Sequence, residues 1–396
     1  MSTLNLLLEK QKWQEFLDYK ISKSHLTKQE EQNLIEFITQ EKYAEVSKQI
    51  VDGTYTFSIP TKSLVNKSGS TKKRVVYTFN PTENIILKYI AFQLGKYDGC
   101  FANNLHSFRK NSTVKKAFYS IANTPNIDDM YAYKLDISNY FNSINVKKLL
   151  PILKKVVNDD EQLFNLIKSL LLVDKSIFND KVIKEKRGVM AGTSLSTFLA
   201  NVYLMDLDKY FEEKGVVYAR YSDDIMIFAK SKTTLNKYKK FILDFVKDKD
   251  LVINKDKENL FLPNTAWNFL GFEYDKGTID LSQVTLKKIK DKIRRKARAL
   301  YRWKTANDKT DEHAMRVMIH IFNKKFYQIE HFKDLTWSKW FFPVITTHNT
   351  LKVIDDYLLQ YVRYIGSGKF CKKNYNTTYD TLKEYGFRSL VNEYHK

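Results

Sequence analysis

Apolar and polar positions divide the chain into stretches of different period. Residues 1 to about 55 read as helical, with apolar positions at three- and four-residue spacing over 29–40 and again over 43–51, before a break at Asp52-Gly53. Between 54 and 79 the pattern changes. TYTFSIP and RVVYTFN are short, aromatic and β-branched, and they flank the Gly-, Ser- and Lys-rich KSGSTKK, which predicts a β-hairpin with a basic tip. A helix is expected over 81–95, with Pro81 at its start. YAYKLDI, from 131, is strand-like, and 146–174 is helical. VVYARY and IMIFAK are two apolar, strand-like runs separated by Ser222-Asp223-Asp224. A helix over 233–248 follows, then strand-like LVINK and, after Pro263, WNFLGFEYD. From 284 onward the pattern is mostly helical. No internal repeat or low-complexity linker is present. Helices and strands mix without βαβα alternation, which gives an α+β fold class.

Composition narrows the picture. With 396 residues the chain can form two or three sub-domains. Hydrophobic residues at 43% and charged residues at 28% fit a folded protein rather than a disordered one. The 25 Tyr and 26 Phe reflect either an AT-rich genome or stacking surface for bases. Lys and Arg number 66 against 45 Asp and Glu, a net charge of +21, so a polyanionic partner is expected, nucleic acid first and an anionic membrane second. No apolar run reaches the roughly 18 residues a bilayer span needs. MSTLNLLLEKQKWQ lacks the pattern of a signal peptide. Cys100 and Cys371 are the only cysteines, which excludes a disulfide framework and a cysteine-based zinc site and fits a reducing, cytoplasmic setting. The seven His are scattered, with none at metal-ligand spacing.

The candidate chemistry is acidic. Asp-Asp also occurs at Asp128-Asp129, Asp159-Asp160 and Asp355-Asp356, and all three read as ordinary solvated pairs. Asp223-Asp224 differs in context, because two adjacent carboxylates held between apolar strands repel each other and need a reason to be there. A hydrophilic hairpin turn is the plain alternative. A bound divalent cation is the chemical one, since hard Mg²⁺ prefers carboxylate and phosphate oxygens. Asp136 ends the apolar strand YAYKLD and supplies a second acidic segment. Two-metal phosphoryl transfer needs carboxylates from separate segments converging within roughly 4 Å of both ions.

LDISNYF, RGVMAGTSLSTFLANVYLMDLD, YARYSDDIMIFA, LVINKDKENLF and NFLGF stand in the order and spacing of the core motifs of bacterial reverse transcriptases. The chain resembles the group II intron, retron and defence-associated or abortive-infection branches over residues 60–275 or thereabouts. The resemblance implies a right-hand polymerase: a helical N-terminal extension over 1–55, fingers over 56–130, a palm with a fingers insertion over 131–278, and a thumb with a helical C-terminal region over 279–396. It implies catalytic Asp136, Asp223 and Asp224, with the Ile137 carbonyl as a further metal ligand, and two Mg²⁺ ions, Mn²⁺ being the alternative. Phe141 matches the aromatic that sits under the sugar and excludes a ribose 2′ hydroxyl. The loop from Arg187-Gly188 through Ser196 matches the one lying against nucleotide and template, where Gly192 is expected to let backbone approach the ligand. Met190-Ala191 stands where many relatives have Pro-Gln, which puts ordinary template-copying fidelity in doubt. Ser222 replaces the Ala common in the turn. Lys257 matches the lysine near the triphosphate, placed to protonate the leaving pyrophosphate. Phe269, Leu270 and Gly271, with Phe272, match the primer grip.

Basic segments complete the expectation. Lys72, Lys73 and Arg74, in the fingertip-like KSGSTKKR, are candidates for triphosphate contact, and Arg109 for contact near template and nucleotide. From Lys287 to Lys304 there are ten basic residues and one acid, Asp291, while Leu286, Ile289, Ile293, Ala297 and Leu300 recur at helical spacing. This predicts an amphipathic helix with a basic outer face. By resemblance it is the thumb helix, with Lys287, Lys290, Arg294, Arg295, Arg298 and Arg302 along duplex phosphates. A merely solubilising face would mix both signs. No acidic constellation for a ribonuclease H and no Cys/His cluster for an intron endonuclease is visible. The leading reading is therefore an RNA-directed DNA polymerase taking deoxynucleotides, an RNA template (a partner non-coding RNA) and a DNA primer or product, in bacterial antiphage defence. A template-independent or protein-primed DNA polymerase and a catalytically silent RNA-binding scaffold are the alternatives. Retention of all three aspartates weighs against the scaffold. An RNA-dependent RNA polymerase is disfavoured by Phe141 and by the Tyr-Ser-Asp-Asp turn. Oligomeric state is left open, a homo-oligomer included.

Overall fold

A computed structural model describes residues 2–23, 26–66, 73–110, 112–185, 188–327 and 336–396, and these fall into two compact units, Met1–Thr265 and Ala266–Lys396. Among the described residues no helix is long and apolar enough to cross a membrane.

The first unit begins with a short 3-10 turn and three helices, α1 (Lys10–Lys23), α2 (Lys28–Thr39) and α3 (Ala44–Val51). Thr27 and Glu30 form a reciprocal cap that starts α2. Trp13 anchors this region: it is fully buried, stacks on Tyr43 at 4.5 Å and Tyr89 at 4.2 Å, and donates its indole N–H to the Leu7 carbonyl. Strands β1 (Thr61–Asn66) and β2 (Lys73–Thr78) form the expected hairpin, but TYTFSIP itself carries no strand. Tyr55 and the Ser58 backbone and hydroxyl instead converge on the buried Glu83 carboxylate of α4 (Pro81–Gln93). That side chain–backbone network replaces a ladder. The hairpin tip, with Lys72, lies outside the described residues.

Helices α5 (Val114–Ala122), α6 (Tyr140–Ser143), α7 (Val146–Val156) and α8 (Glu161–Leu172) follow, with β3 (Tyr131–Asp136) between α5 and α6. The expected single helical stretch over 146–174 is thus two helices, and it ends in an unforeseen hairpin, β4 (Lys175–Phe178) and β5 (Lys181–Lys184). Asn179 and Asp180 turn it at φ 49° and 59°, a left-handed pair that these side chains tolerate and that matches strand twist. This hairpin extends the first one into a sheet of order β2-β1-β4-β5.

Helix α9 (Ser196–Glu213), strands β6 (Tyr218–Tyr221) and β7 (Asp224–Ala229), helix α10 (Lys232–Asp248) and strand β8 (Asn259–Phe261) complete the unit. The central sheet runs β6-β7-β3-β8, all antiparallel. β3 and β7 are apolar almost throughout because neighbours cover both their faces. LVINK is not a strand; only Ile253 bridges to Ile137, and the pairing passes to Asn259–Phe261.

The second unit opens with a three-stranded meander, β9 (Trp267–Phe269), β10 (Phe272–Asp275) and β11 (Thr278–Leu281). Helices α11 (Gln283–Ala306), α12 (Asp311–Phe326), α13 (Trp337–Phe341), α14 (Asn349–Ser367), α15 (Tyr379–Glu384) and α16 (Leu390–Tyr394) follow. On α11, Ile289, Ile293, Ala297 and Leu300 are buried as expected, and Leu286 is half-buried. Two of the Asp-Asp pairs read as solvated hold a buried member. Asp160 accepts from Ser2, Thr3 and Leu163, and Asp355 from Ser389, Leu390 and Val391. Each satisfies orphan N–H groups at a helix start.

Candidate active site

The register of the central sheet builds the acidic cluster. β3 pairs with β7 so that Asp136 faces Asp224, and β6 pairs with β7 so that Tyr221 faces Asp224 across the turn Ser222-Asp223. The carboxylates of Asp136, Asp223 and Asp224 offer oxygens within 4.8 Å of one another. Two segments 87 positions apart thereby meet, because each ends an apolar strand of one ladder. The Ile137 N–H donates to the Asp223 carbonyl at 3.1 Å and locks the two segments together. From a third segment, Asn254 donates its backbone N–H to the Asp136 carbonyl and its amide to Asp136 Oδ1. Lys257 Nζ reaches Asp136 Oδ2 at 2.7 Å.

The electrostatics are those of a cation site. Burial first, and then the Asp136 charge, push the Asp223 pKa up. Burial and the charges of Asp223 and Asp136 push Asp224 to about 7. Burial alone would lower the Lys257 pKa; the hydrogen bond to Asp136 and the charges of the three carboxylates outweigh it, and the pKa rises. One ammonium does not neutralise three converging carboxylates. A hard divalent ion with oxygen preference fits this donor set.

The turn is held from beneath by residues that sequence reading passed over. Ser222 sits at φ 62°, a left-handed conformation that costs a non-glycine residue energy. Its N–H donates to Ser107 Oγ at 2.8 Å, and its carbonyl accepts from Arg220 Nη1 at 3.2 Å. Arg220 is fully buried and forms a two-point pair with Asp208, Nε to Oδ1 at 2.8 Å and Nη2 to Oδ2 at 2.5 Å. Tyr218 donates to the same Oδ1, and Asn201 ties α9 to the Ser107 carbonyl. The available signal was an arginine inside the apolar run VVYARY together with Asp208 in the apolar stretch of α9, between Leu207 and the Tyr210-Phe211 pair: buried opposite charges come in pairs.

The nucleotide-loop candidates meet one another. Phe141 is half-buried, its ring 6.2 Å from that of exposed Phe108 and 5.7 Å from Tyr140. Asn142 donates to the Val75 carbonyl and accepts from Ala191 N–H, and Tyr77 N–H donates to the Ala191 carbonyl, so β2 is stapled to the 188–192 loop. Gly192 was expected to admit a ligand. Its φ is 103°, and a Cβ there would lie 3.0 Å from the Tyr77 carbonyl, so the close approach is to β2 within the protein. Lys73 and Arg74 are exposed at the start of β2. Arg109 is drawn elsewhere: its guanidinium takes both Asp98 oxygens, at 3.0 and 3.1 Å, and the carbonyls of Ala102 and Leu105. Arg187 lies outside the described residues.

In the second unit, Phe269 is buried and Leu270 and Gly271 form the β9–β10 turn at φ 52° and 92°. Leucine is rare in that conformation, so the strain marks the expected primer grip as a functional candidate. On α11, Lys287, Arg295, Arg298 and Arg302 are exposed. Lys290 lies over the Tyr357 ring, and Arg294 pairs with Asp291. Burial, and then the charge of Lys292, lower the Lys325 pKa to about 8.

The family model described as reverse transcriptase (RNA-dependent DNA polymerase) matches residues 65–274. The Escherichia coli retron Ec86 reverse transcriptase is 24% identical over 174 residues, 43% of this chain and 50% of that protein. The retron Ec48 reverse transcriptase of the same organism is 24% identical over 253 residues, 62% of this chain and 58% of that one. The chain therefore spans between half and three-fifths of the length of these relatives. Among solved structures, an apo telomerase from Candida tropicalis truncated from its C-terminal domain superposes with a TM-score of 0.47 at 14% identity, covering 57% of this chain and 55% of that one.

Proposed function

Because the chain belongs to the reverse transcriptase family and has that family's α+β, right-hand polymerase fold class, we propose that it is an RNA-directed DNA polymerase that adds deoxynucleotides by two-metal-ion catalysis. The observation that carries this reading is the convergence of Asp136, Asp223 and Asp224 within 4.8 Å on one strand ladder. These carboxylates, with the Ile137 carbonyl, would hold two Mg²⁺ ions. When bound, such ions activate a 3′ hydroxyl and neutralise charge on the triphosphate and leaving pyrophosphate.

The chain's own groups do the rest. Ser107 and Arg220 hold the Ser222 peptide so that both turn carboxylates keep one orientation. Lys257, resting on Asp136, would protonate the leaving group. Phe141 would floor the sugar site and exclude a 2′ hydroxyl, and the loop around Gly192 would close it, with Lys73 and Arg74 reaching phosphates from β2. Arg109, held by Asp98, would shape the fingers more than touch nucleotide. Phe269, Leu270 and Gly271 would grip the primer, and the basic face of α11 would follow duplex phosphates. The division into extension, fingers, palm and thumb follows the ranges given above.

The template proposed is a non-coding RNA encoded beside the gene, copied in bacterial antiphage defence; the likeness to retron reverse transcriptases is what points to the defence role. Purification from the native locus, followed by sequencing of bound RNA and of any DNA made, tests it, with Asp223→Ala and Asp224→Ala as controls. DNA complementary to the bound RNA, absent from both controls, is the expected result. The same DNA in all three preparations would refute polymerisation by this site.

A further inference from the structure

The segment after α14 belongs to no role given so far. Gly368 ends the helix at φ 71°, donating its N–H to the Tyr364 carbonyl, and a Cβ there would collide with the Tyr301 ring. The chain then folds back as an ordered loop. Asn374 donates to the Lys369 carbonyl at 2.7 Å, and Ser367 Oγ lies 2.7 Å from both that carbonyl and Asn374 Oδ1, donating to one at a time. Arg363 fixes the far side through the Thr377 carbonyl.

This braced loop does not bury its aromatics. Phe370 is 60% exposed although one side rests on Tyr361 and Tyr364, with ring centroids at 5.2 and 5.3 Å. Tyr375 is 64% exposed and lies against Arg363, 5.2 Å from its guanidinium. Lys372 and Lys373 are exposed between them and Lys369 just before, and residues 357–379 contain no acid. Exposed rings held rigid lose little entropy on binding, and every base has a face that stacks on them. Interleaved lysines suit the phosphates of the same strand. A duplex hides its base faces and fits this surface poorly.

We propose that residues 369–376 form a docking surface for an unpaired stretch of RNA, stacking bases on Phe370 and Tyr375 and pairing phosphates with Lys369, Lys372 and Lys373. It rests on the RNA-template reading above, because RNA is the strand present before synthesis starts.

The test uses the full chain and a fluorescein-labelled, unstructured adenosine–uridine RNA of about 12 nucleotides, within the site sizes such surfaces use. Replacing Phe370→Ser together with Tyr375→Ser is expected to weaken binding about tenfold or more, while Phe370→Tyr with Tyr375→Phe keeps it. Lys372→Glu with Lys373→Glu should flatten the salt dependence. In unmodified protein, 4-thiouridine in the RNA should cross-link to residues 369–376, a readout that needs no variant. The proposal is overturned by any of four results: affinity unchanged within twofold in the serine double variant, equal loss with fully paired RNA, cross-links confined elsewhere, or a loss seen only with anionic phosphatidylserine vesicles. Nucleotide incorporation by the unmodified protein is read in parallel. Its absence would count against the polymerase reading and leave the RNA-binding comparison decisive for this surface.

Discussion

Asp160 and Asp224 are both acids from an Asp-Asp dipeptide, both in the first unit, and both largely removed from water, yet their surroundings act in opposite directions. At the start of α8, burial raises the Asp160 pKa, but donors from Ser2, Thr3 and Leu163 outweigh it and leave the pKa below its usual value. At the β6–β7 turn, burial and two neighbouring carboxylates raise Asp224 to about 7, with Lys257 and Lys134 opposing. Buried carboxylates given donors build structure. Buried carboxylates given one another create a demand for a cation.

The largest expected difference is in metal affinity. Replacing Asp136→Asn with Asp223→Asn should weaken Mn²⁺ binding, read by electron paramagnetic resonance, by at least about 100-fold, the upper figure for losing a mere supporting partner of a ligand. Asp160→Asn should leave it unchanged. Next is the support beneath the turn. Arg220→Met strands the buried Asp208 charge and should cost about 3–5 kcal/mol in denaturant unfolding. Arg220→Met with Asp208→Leu should recover most of that stability. It should not recover incorporation, because the Ser222 carbonyl loses its donor; full recovery of both would show the pair to be only structural.

Asp160→Ala leaves the N–H groups of Thr3 and Leu163 without their acceptor and should cost about 1–3 kcal/mol, with incorporation per folded molecule unchanged. The smallest effect has the opposite sign. Asp224 titrates from 3.8 to about 7 on folding, so a metal-free stability penalty builds as pH rises from the lower value to the upper and is constant above it. After solvent screening, Asp224→Asn should stabilise the metal-free protein at pH 8 by about 1–2 kcal/mol, a gain that fades towards pH 4. Mg²⁺ should stabilise the unmodified protein more than this variant. A melting temperature lower in the variant at pH 8 would break the comparison with Asp160.

Periodicity showed the central strands and most helices, because β3, β6 and β7 are mostly apolar and α2, α10 and α11 carry clear stripes. It misplaced β1, since TYTFSIP has strand composition but is held by Glu83, a contact from 25 residues on. The β4–β5 hairpin was missed because its strands are short and lysine-rich, although Asn179-Asp180 was a turn signal. At the site, the ordered motifs made Asp136, Asp223, Asp224 and Lys257 legible. Ser107, Asn201, Asp208 and Arg220 were not, because their roles depend on distant segments meeting: Ser107 and Ser222 are separated by 115 residues. Gly192 was legible as a glycine that must be close to something, but only packing shows that the something is Tyr77.

The most direct measurement is deoxynucleotide incorporation on a DNA-primed RNA template with Mg²⁺ at pH 8, comparing the unmodified chain, Asp136→Asn and Asp160→Asn at matched folded concentration. The account predicts extension by the unmodified chain and by Asp160→Asn, and a loss of at least about 10³-fold in Asp136→Asn, in line with removing a group that acts on charge developing in the transition state. Equal extension by all three proteins would contradict it.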